Sequence, residues 1–172
     1  MEFLLHICCG VCALETVPDL RGEGWSVLGA WCNPNIEPPT EHQRRLAVLA
    51  TVERELELPL VRLEAPAYRP PTTELSAERC AYCYRLRLEP VARRAAALGT
   101  AFSTTLLYSR HQRHELVRRV AEALSRRCGA PFVYRDWRPL FNRGQSRSRA
   151  LGLYRQNYCG CLASLHARRT GG

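Results

Sequence analysis

The sequence predicts a single-domain α/β protein spanning residues 1–172, with a doubly wound, mostly parallel sheet and helices on both faces. Short apolar runs alternate with amphipathic stretches along the chain, which is typical of parallel strands joined by helices. Turn-forming residues follow several of these apolar runs. At 172 residues the chain is also long enough for one sizeable core.

The first half of the chain alternates three strands with two helices. Apolar runs predict strands at residues 3–7, 26–32 and 60–63. A short helix is expected near residues 11–20, and an amphipathic helix over about residues 41–57.

The second half begins with a proline-rich loop over residues 65–73. The elements predicted after it are a helix at 79–98, a strand at 101–105, a helix at 111–127, a strand at 132–134, a helix at 143–153 and a loop at 154–161. Pro90 lies inside the first of these helices and is expected to kink or split it. The turns after residues 7, 32 and 103–105 are expected to meet at the carboxyl edge of the sheet, where α/β proteins bind ligands.

The basic charge is concentrated at the end of the chain. All 25 basic residues are arginine, and residues 110–172 carry 14 of them against 3 acidic residues. A one-sided positive field favours a polyanionic partner, with nucleic acid as the first candidate.

The sequence predicts a cytoplasmic protein with no membrane association. No apolar run approaches the ~20 residues that cross a bilayer, and the N-terminus lacks the features of a signal peptide. Nine cysteines in a reducing compartment indicate metal binding or redox chemistry rather than structural disulfides, thermophile disulfides being the exception.

Seven of these cysteines form three local groups. They are Cys8, Cys9 and Cys12 after the first strand, Cys80 and Cys83 in a CxxC motif, and Cys159 and Cys161 in a CGC motif. A CxxC at a helix start places two sulfurs one turn apart, where the helix N-terminus favours the thiolate. Cys32 and Cys128 are isolated, and we interpret them as a packing residue and an incidental thiol. His6 is expected to be a core residue, and His42, His111 and His114 to lie on helix surfaces.

Seven thiols exceed what one metal needs, because four thiolates saturate one zinc ion or one iron–sulfur cube. The excess indicates a polynuclear cluster with a second metal, or a cluster with redox thiols. A structural zinc with spare cysteines is the simpler alternative. The chain contains neither a dinucleotide-binding nor a P-loop glycine motif.

Six stretches resemble one known family, the cobalamin-independent epoxyqueuosine reductases of the QueH type. They are HICCGVC (6–12), NPNI (33–36), RCAYCYRLRL (79–88), AFSTTLLYS (101–109), DWRPLF (136–141) and LYRQNYCGC (153–161). The resemblance covers essentially the whole chain. It implies a HUP-like α/β fold, a [4Fe–4S] cluster and a neighbouring mononuclear iron.

The resemblance also implies a reaction, the reduction of the epoxide of epoxyqueuosine at the wobble position of tRNA to give queuosine. It carries metal ligation directly to Cys8, Cys9, Cys80, Cys83, Cys159 and Cys161. At the position of Cys12 the family also uses aspartate, and either group can ligate iron. Cys32 stands where the family usually has an aromatic residue.

Within this interpretation, cysteines from all three groups hold the cube, and Cys12 helps to hold the single iron and is essential for turnover. The proton donor is expected to be Tyr108, Tyr158 or an ordered water, and the electron donor is unidentified. Tyr108, Tyr154 and Tyr158 are candidates for stacking on bases. Arginines predicted to contact tRNA are Arg143, Arg147, Arg149 and Arg155. Two alternatives remain open: a zinc-stabilised RNA-binding module without catalysis, and an iron–sulfur tRNA sulfurtransferase.

Overall fold

The computed structural model describes residues 1–170; Gly171 and Gly172, the end of the predicted 1–172 domain, lie outside the described residues. Within residues 1–170 the chain forms a four-stranded parallel sheet in the order β3-β2-β1-β4. The strands are β1 (Glu2–His6), β2 (Ser26–Trp31), β3 (Leu60–Arg62) and β4 (Ala101–Thr104). The helices are α1 (Gly10–Gly22), α2 (Pro39–Glu55), α3 (Ala77–Leu98), α4 (His114–Cys128), α5 (Phe141–Ala150) and α6 (Leu162–Thr170).

The direction of winding reverses between β1 and β4, which confirms the doubly wound α/β prediction. Helix α1 packs against α2 and α5, whereas α3 packs against α4. The central strand β1 is buried on both faces, and Phe3, Leu4 and Leu5 are fully inaccessible to solvent. The reversal opens a crevice at the carboxyl ends of β1 and β4.

Several element boundaries differ from the sequence prediction. Residues 132–134 form only an isolated bridge, between Phe132 and Phe102, instead of a strand. Helix α4 begins at His114, so His111 lies in the preceding turn, and His114 is buried rather than on the helix surface. Helix α6 was not predicted from the sequence.

Helix α3 is continuous over Ala77–Leu98 and contains Pro90, so the proline does not split it. Proline removes the hydrogen bond to the carbonyl four residues earlier, which here belongs to Leu86. The thiol of Cys32 points at that oxygen from 4.0 Å. Cys32 is buried, in agreement with its prediction as a packing residue.

His6 is a core residue, as predicted, and its hydrogen bonds join the ends of three strands. Its Nε2 donates to the carbonyl oxygen of Cys32 (3.2 Å), so Nδ1 accepts from the hydroxyl of Thr104 (2.8 Å). Complete burial lowers the pKa of His6 to about 3 and keeps the ring neutral. Within residues 1–170, no helix is both long and apolar enough to traverse a lipid bilayer.

Candidate metal centre and active site

A cavity of about 480 Å³ opens at the crevice between β1 and β4. Its walls come from the end of β1, the 3₁₀ turn Thr105–Tyr108, helix α5 and the segment before α6. Residues that line it include Cys8, Cys12, Tyr108, Phe141, Arg155, Tyr158 and Cys159. Its volume lies in the range of small-molecule sites, which is about 300–1,000 Å³.

The first group of thiols, Cys8, Cys9 and Cys12, lies at the N-terminus of α1, and we call it the triad. Its three sulfur atoms lie within 4.8 Å of one another, and all three residues are buried. Cys9 is the N-cap of α1, because its sulfur accepts a hydrogen bond from the backbone N–H of Cys12 (3.4 Å). Cys9 and Cys12 are joined as a disulfide. Gln156 donates its amide hydrogen to the sulfur of Cys9 (2.6 Å).

The main chain of the triad is fixed to β4 and to α2. The backbone N–H of Cys8 donates to the hydroxyl of Thr105 (2.9 Å). A side chain at Gly10 would lie 2.9 Å from Cγ1 of Val48, so glycine lets α1 begin directly against α2. Burial raises the pKa of the Cys8 thiol, so an added positive charge is needed to hold it as a thiolate.

The second group, Cys80, Cys83, Cys159 and Cys161, lies beside the triad, and we call it the quartet. Cys80 and Cys83 occupy the start of α3, whose N-cap is Ser76. All four line one small pocket, and Cys159 also lines the larger cavity, so the two thiol groups are neighbours. The structure therefore brings together all seven cysteines selected from the sequence.

The sulfurs of Cys159 and Cys161 are held by the N-terminus of α6. They lie 3.5 Å apart, and the backbone N–H of Ser164 donates to the sulfur of Cys161 (3.4 Å). The hydrogen bond they share lowers the pKa of Cys159 to about 5 and raises the pKa of Cys161. Helix N-termini carry partial positive charge, so the starts of α1, α3 and α6 all favour thiolates here.

Two buried arginines hold the turn that carries Cys159 and Cys161. Gly160 adopts a φ of +121°, a conformation that favours glycine. Arg45 donates to the carbonyl oxygens of Tyr158 (3.1 Å) and Cys159 (3.3 Å), and Nη2 of Arg87 lies 3.5 Å from the same Cys159 oxygen.

Arg79 and Arg87 are buried positive charges, at 4% and 2% exposure. Among residues 1–170, no carboxylate lies within 4.0 Å of either guanidinium. Arg87 donates to Oδ1 of Asn35, Arg79 donates to the hydroxyl of Tyr68 (2.7 Å), and Nε of Arg79 has no partner in that range. Buried charges in proteins are normally paired, so this pocket is suited to an anionic group.

Comparison with known proteins agrees with this arrangement. The family model described as epoxyqueuosine reductase QueH matches residues 3–167. The chain belongs to this family. The QueH protein of Dehalococcoides mccartyi is 35% identical over 97% of this chain and 94% of its own length. The QueH protein of Thermotoga maritima is 30% identical over 96% of this chain and 91% of its own length, and both are named epoxyqueuosine reductases.

Membership in the QueH family makes this protein an oxidoreductase. It favours the reductase over the two alternatives that the sequence left open, a non-catalytic zinc module and a sulfurtransferase.

The two tyrosines predicted as proton donors form walls of the cavity in this QueH protein. The hydroxyl of Tyr108 donates to the carbonyl oxygen of Phe141 (3.1 Å), and that of Tyr158 donates to the carbonyl oxygen of Glu37 (2.5 Å). Burial raises the pKa of Tyr108, and raises that of Tyr158 to about 12. Both hydroxyl hydrogens are therefore engaged with the main chain.

The four arginines predicted to contact tRNA differ in their surroundings. Arg143 forms an ion pair with the buried Glu15 of α1, and Arg147 donates to the carbonyl oxygen of Leu14 (2.9 Å). Arg149 is exposed and donates to the hydroxyl of Ser146, and Arg155 is exposed at the cavity. Arg143 and Arg147 thus attach α5 to α1, while Arg143, Arg149 and Arg155 are all accessible to solvent.

Residues that the sequence analysis did not select also build this site: Glu41, Arg45, Arg79, Arg87, Phe141 and Gln156. Arg79 and Arg87 lie in RCAYCYRLRL, and Gln156 lies in LYRQNYCGC, so the motifs contained them. The burial of Arg87 and Gln156 was not visible because their partners come from distant parts of the chain.

Proposed function

We propose that this protein removes the epoxide oxygen of epoxyqueuosine in tRNA, giving queuosine, with a [4Fe–4S] cluster and a mononuclear iron. The observation that supports this most strongly is that the triad and the quartet are neighbours and that Cys8, Cys12 and Cys159 line one cavity of nucleoside size. The name of the QueH family, epoxyqueuosine reductase, describes this reduction.

The donor set fits the proposed metals. The four sulfurs of the quartet match the number that a cube requires, and in residues 1–170 only the triad gathers three ligand atoms within 4.8 Å of one another, as one ion needs. Arg79 and Arg87 supply buried positive charge for an anionic cluster. We assign the quartet to the cube and the reduced triad to the single iron. This assignment refines the sequence-based one, in which all three cysteine groups shared the cube.

The proposed reaction consumes two electrons and two protons, converts the epoxide to an alkene and releases the oxygen as water. When bound, the cluster supplies electrons one at a time and the iron acts as a Lewis acid. Cys12 and Phe141 both line the cavity, and the aromatic ring offers a surface for stacking a base.

We propose that water in the cavity supplies the protons, because the hydroxyls of Tyr108 and Tyr158 donate to carbonyl oxygens. The positions of both rings would then exclude bulk solvent from the reacting carbon atoms. Replacing either tyrosine by phenylalanine is expected to leave turnover detectable, and loss of turnover in either variant would assign the proton to that hydroxyl.

We propose the anticodon stem-loop of tRNA as the partner, bound through the basic α5 and the segment that follows it. Arg143, Arg149 and Arg155 are the accessible contacts, and Arg147 is a half-buried charge on the same helix as Arg143 and Arg149. A tRNA substrate places the activity in the cytoplasm. The two electrons must come from an external donor, which is a further partner.

The experiment is a turnover assay under anaerobic conditions. Protein reconstituted with iron and sulfide is reduced and incubated with tRNA that contains epoxyqueuosine, and the nucleosides are then analysed. We expect queuosine to appear only with iron-loaded protein. Absence of queuosine from reduced, iron-loaded protein would contradict the proposed function, and activity of a zinc-loaded sample would contradict the metal assignment.

A further inference from the structure

Arg79 and Arg87 carry buried charges, and no carboxylate of residues 1–170 lies within 4.0 Å of either one. Arg45 provides the comparison within the same protein, because it is equally buried but pairs with Glu41 at 2.7 Å. Removing an unpaired charge from water is costly unless an opposite charge enters with it. The two arginines therefore indicate where negative charge is bound.

The positions of the two guanidinium groups distinguish their roles. Arg79 precedes Cys80 and lies in the pocket of the quartet, with its Nε free of partners in residues 1–170. Arg87 lies one helical turn beyond Cys83 and contacts the carbonyl oxygen of Cys159, the residue shared with the larger cavity. Both arginines line the quartet's pocket, so both charges lie beside its sulfurs.

We propose that Arg79 and Arg87 are positioning residues that neutralise the thiolate-bound cluster and raise its reduction potential. This inference rests on the proposed function. A cluster that accepts one electron gains one negative charge and loses none of its ligands. A fixed positive charge nearby stabilises that reduced form more than the oxidised form.

The first test is a redox titration of the reconstituted cluster in Arg79→Gln and Arg87→Gln, followed by absorbance and electron paramagnetic resonance. We expect each change to disfavour reduction by about tenfold, which is about 59 mV for one electron. Arg79→Lys and Arg87→Lys, which keep the charge, should recover most of the shift. Arg85→Gln is the matched control, because Arg85 lies on the same helix but is exposed.

The second test separates electrostatic from purely structural roles and does not require catalysis. Thermal unfolding is compared for cluster-free and cluster-loaded protein. We expect the Gln substitutions to lower the unfolding temperature of the cluster-loaded protein much more than that of the cluster-free protein. Arginines that only support the fold would lower the unfolding temperature of both forms equally.

A Gln variant that does not fold at all would also contradict the proposal, since the cluster-free chain should tolerate loss of an unpaired charge. Unchanged potentials in cluster-loaded variants would overturn it as well. If the wild-type quartet binds zinc in place of iron, the proposed function fails. The same unfolding comparison with Zn²⁺ then still decides whether the arginines balance an anionic tetrathiolate site.

Discussion

The guanidinium group of Arg147 donates a hydrogen bond to the carbonyl oxygen of Leu14, at 2.9 Å. That oxygen lies four residues before Pro18, which is inside α1 and has no N–H to offer it. Arg147 therefore supplies the donor that the helix lacks, and it fixes α5 to α1. In α3 the thiol of Cys32 likewise points at the carbonyl oxygen of Leu86, which has lost its helix donor because residue 90 is a proline.

Replacing Arg147 by alanine is expected to lower the free energy of unfolding by about 1–2 kcal/mol, because a hydrogen bond from a charged donor to a helix carbonyl is lost. Chemical denaturation of the metal-free, reduced protein measures this. Arg149→Ala is the control on the same helix, because Arg149 contacts only Ser146 through its side chain within the described residues. Equal stabilities of the two variants would rule out the structural role of Arg147.

Binding of an anticodon stem-loop should weaken steeply with salt, because phosphate contacts release counterions. Arg149→Ala and Arg155→Ala should each weaken binding and reduce the slope of log affinity against log salt by about 1. Fluorescence anisotropy at several salt concentrations measures the slope. Arg94→Ala changes an exposed charge on α3 and should leave the slope unaltered. An affinity that stays flat with salt would exclude this surface.

Hydrophobic periodicity predicted most of the fold, because the apolar faces of the main elements are regular. Strand β1 and helix α2 repeat apolar residues at the spacing of their own geometry, so each could be placed within about three residues. The run at 132–134 has the composition of a strand, but only Phe132 pairs, since the chain then turns away from the sheet. Helix α6 is short and follows a positive-φ glycine, and neither feature has a strong local signal.

The thiols of the site could be predicted, but their electrostatic setting could not. Cysteine spacing is local, so the CxxC and CGC motifs were visible in the sequence. The burial of Glu15 depends on Arg143 and Arg147, which are about 130 residues away along the chain. A pattern of apolar residues cannot reveal a buried charge whose partner is so distant. Arg87 was missed for a similar reason, because it bonds Asn35 and Cys159, which are 52 and 72 residues away.

The number of reactive thiols should depend on the oxidation state of the triad. Seven cysteines are free, while Cys9 and Cys12 are paired. Metal-free protein denatured without reductant is expected to titrate seven thiols, and nine after treatment with a dithiol. Mass spectrometry of alkylated peptides should place the two additional thiols at Cys9 and Cys12. Nine thiols before reduction would show that this pair does not persist in solution.

The buried His114 should make the protein less stable in mild acid. Burial lowers the pKa of His114, and its Nε2 contacts the hydroxyl of Tyr134 (3.1 Å). The unfolded chain takes up this proton near pH ~6.5, above the pKa of the folded state, so the free energy of unfolding falls as the pH drops below that value. The charged groups that act on His114 in the folded state are Glu115, Arg118, Asp136 and Arg138.

Denaturation midpoints at pH 7.5 and 5.5 measure this effect. His114→Gln cannot take up the proton and should show a smaller loss of stability than wild type between these two values. His166→Gln, on the exposed part of α6, is the control. An identical pH dependence for wild type and His114→Gln would mean that His114 is protonated equally in the folded and the unfolded protein.

The division of the seven cysteines into two metal sites makes Cys12 the decisive residue. Replacing Cys12 by serine removes a triad sulfur that lines the cavity and leaves the quartet complete. The visible absorbance of the cluster should persist, about one iron per chain should be lost, and turnover should cease.

Cys83→Ser is the reciprocal change, because it should lose the absorbance of the cube. Cys12→Asp should regain iron and part of the activity, since a carboxylate can also ligate iron. Full activity of Cys12→Ser would contradict the two-site assignment while leaving the reductase activity in place, whereas loss of the cluster absorbance in Cys12→Ser would place Cys12 at the cube.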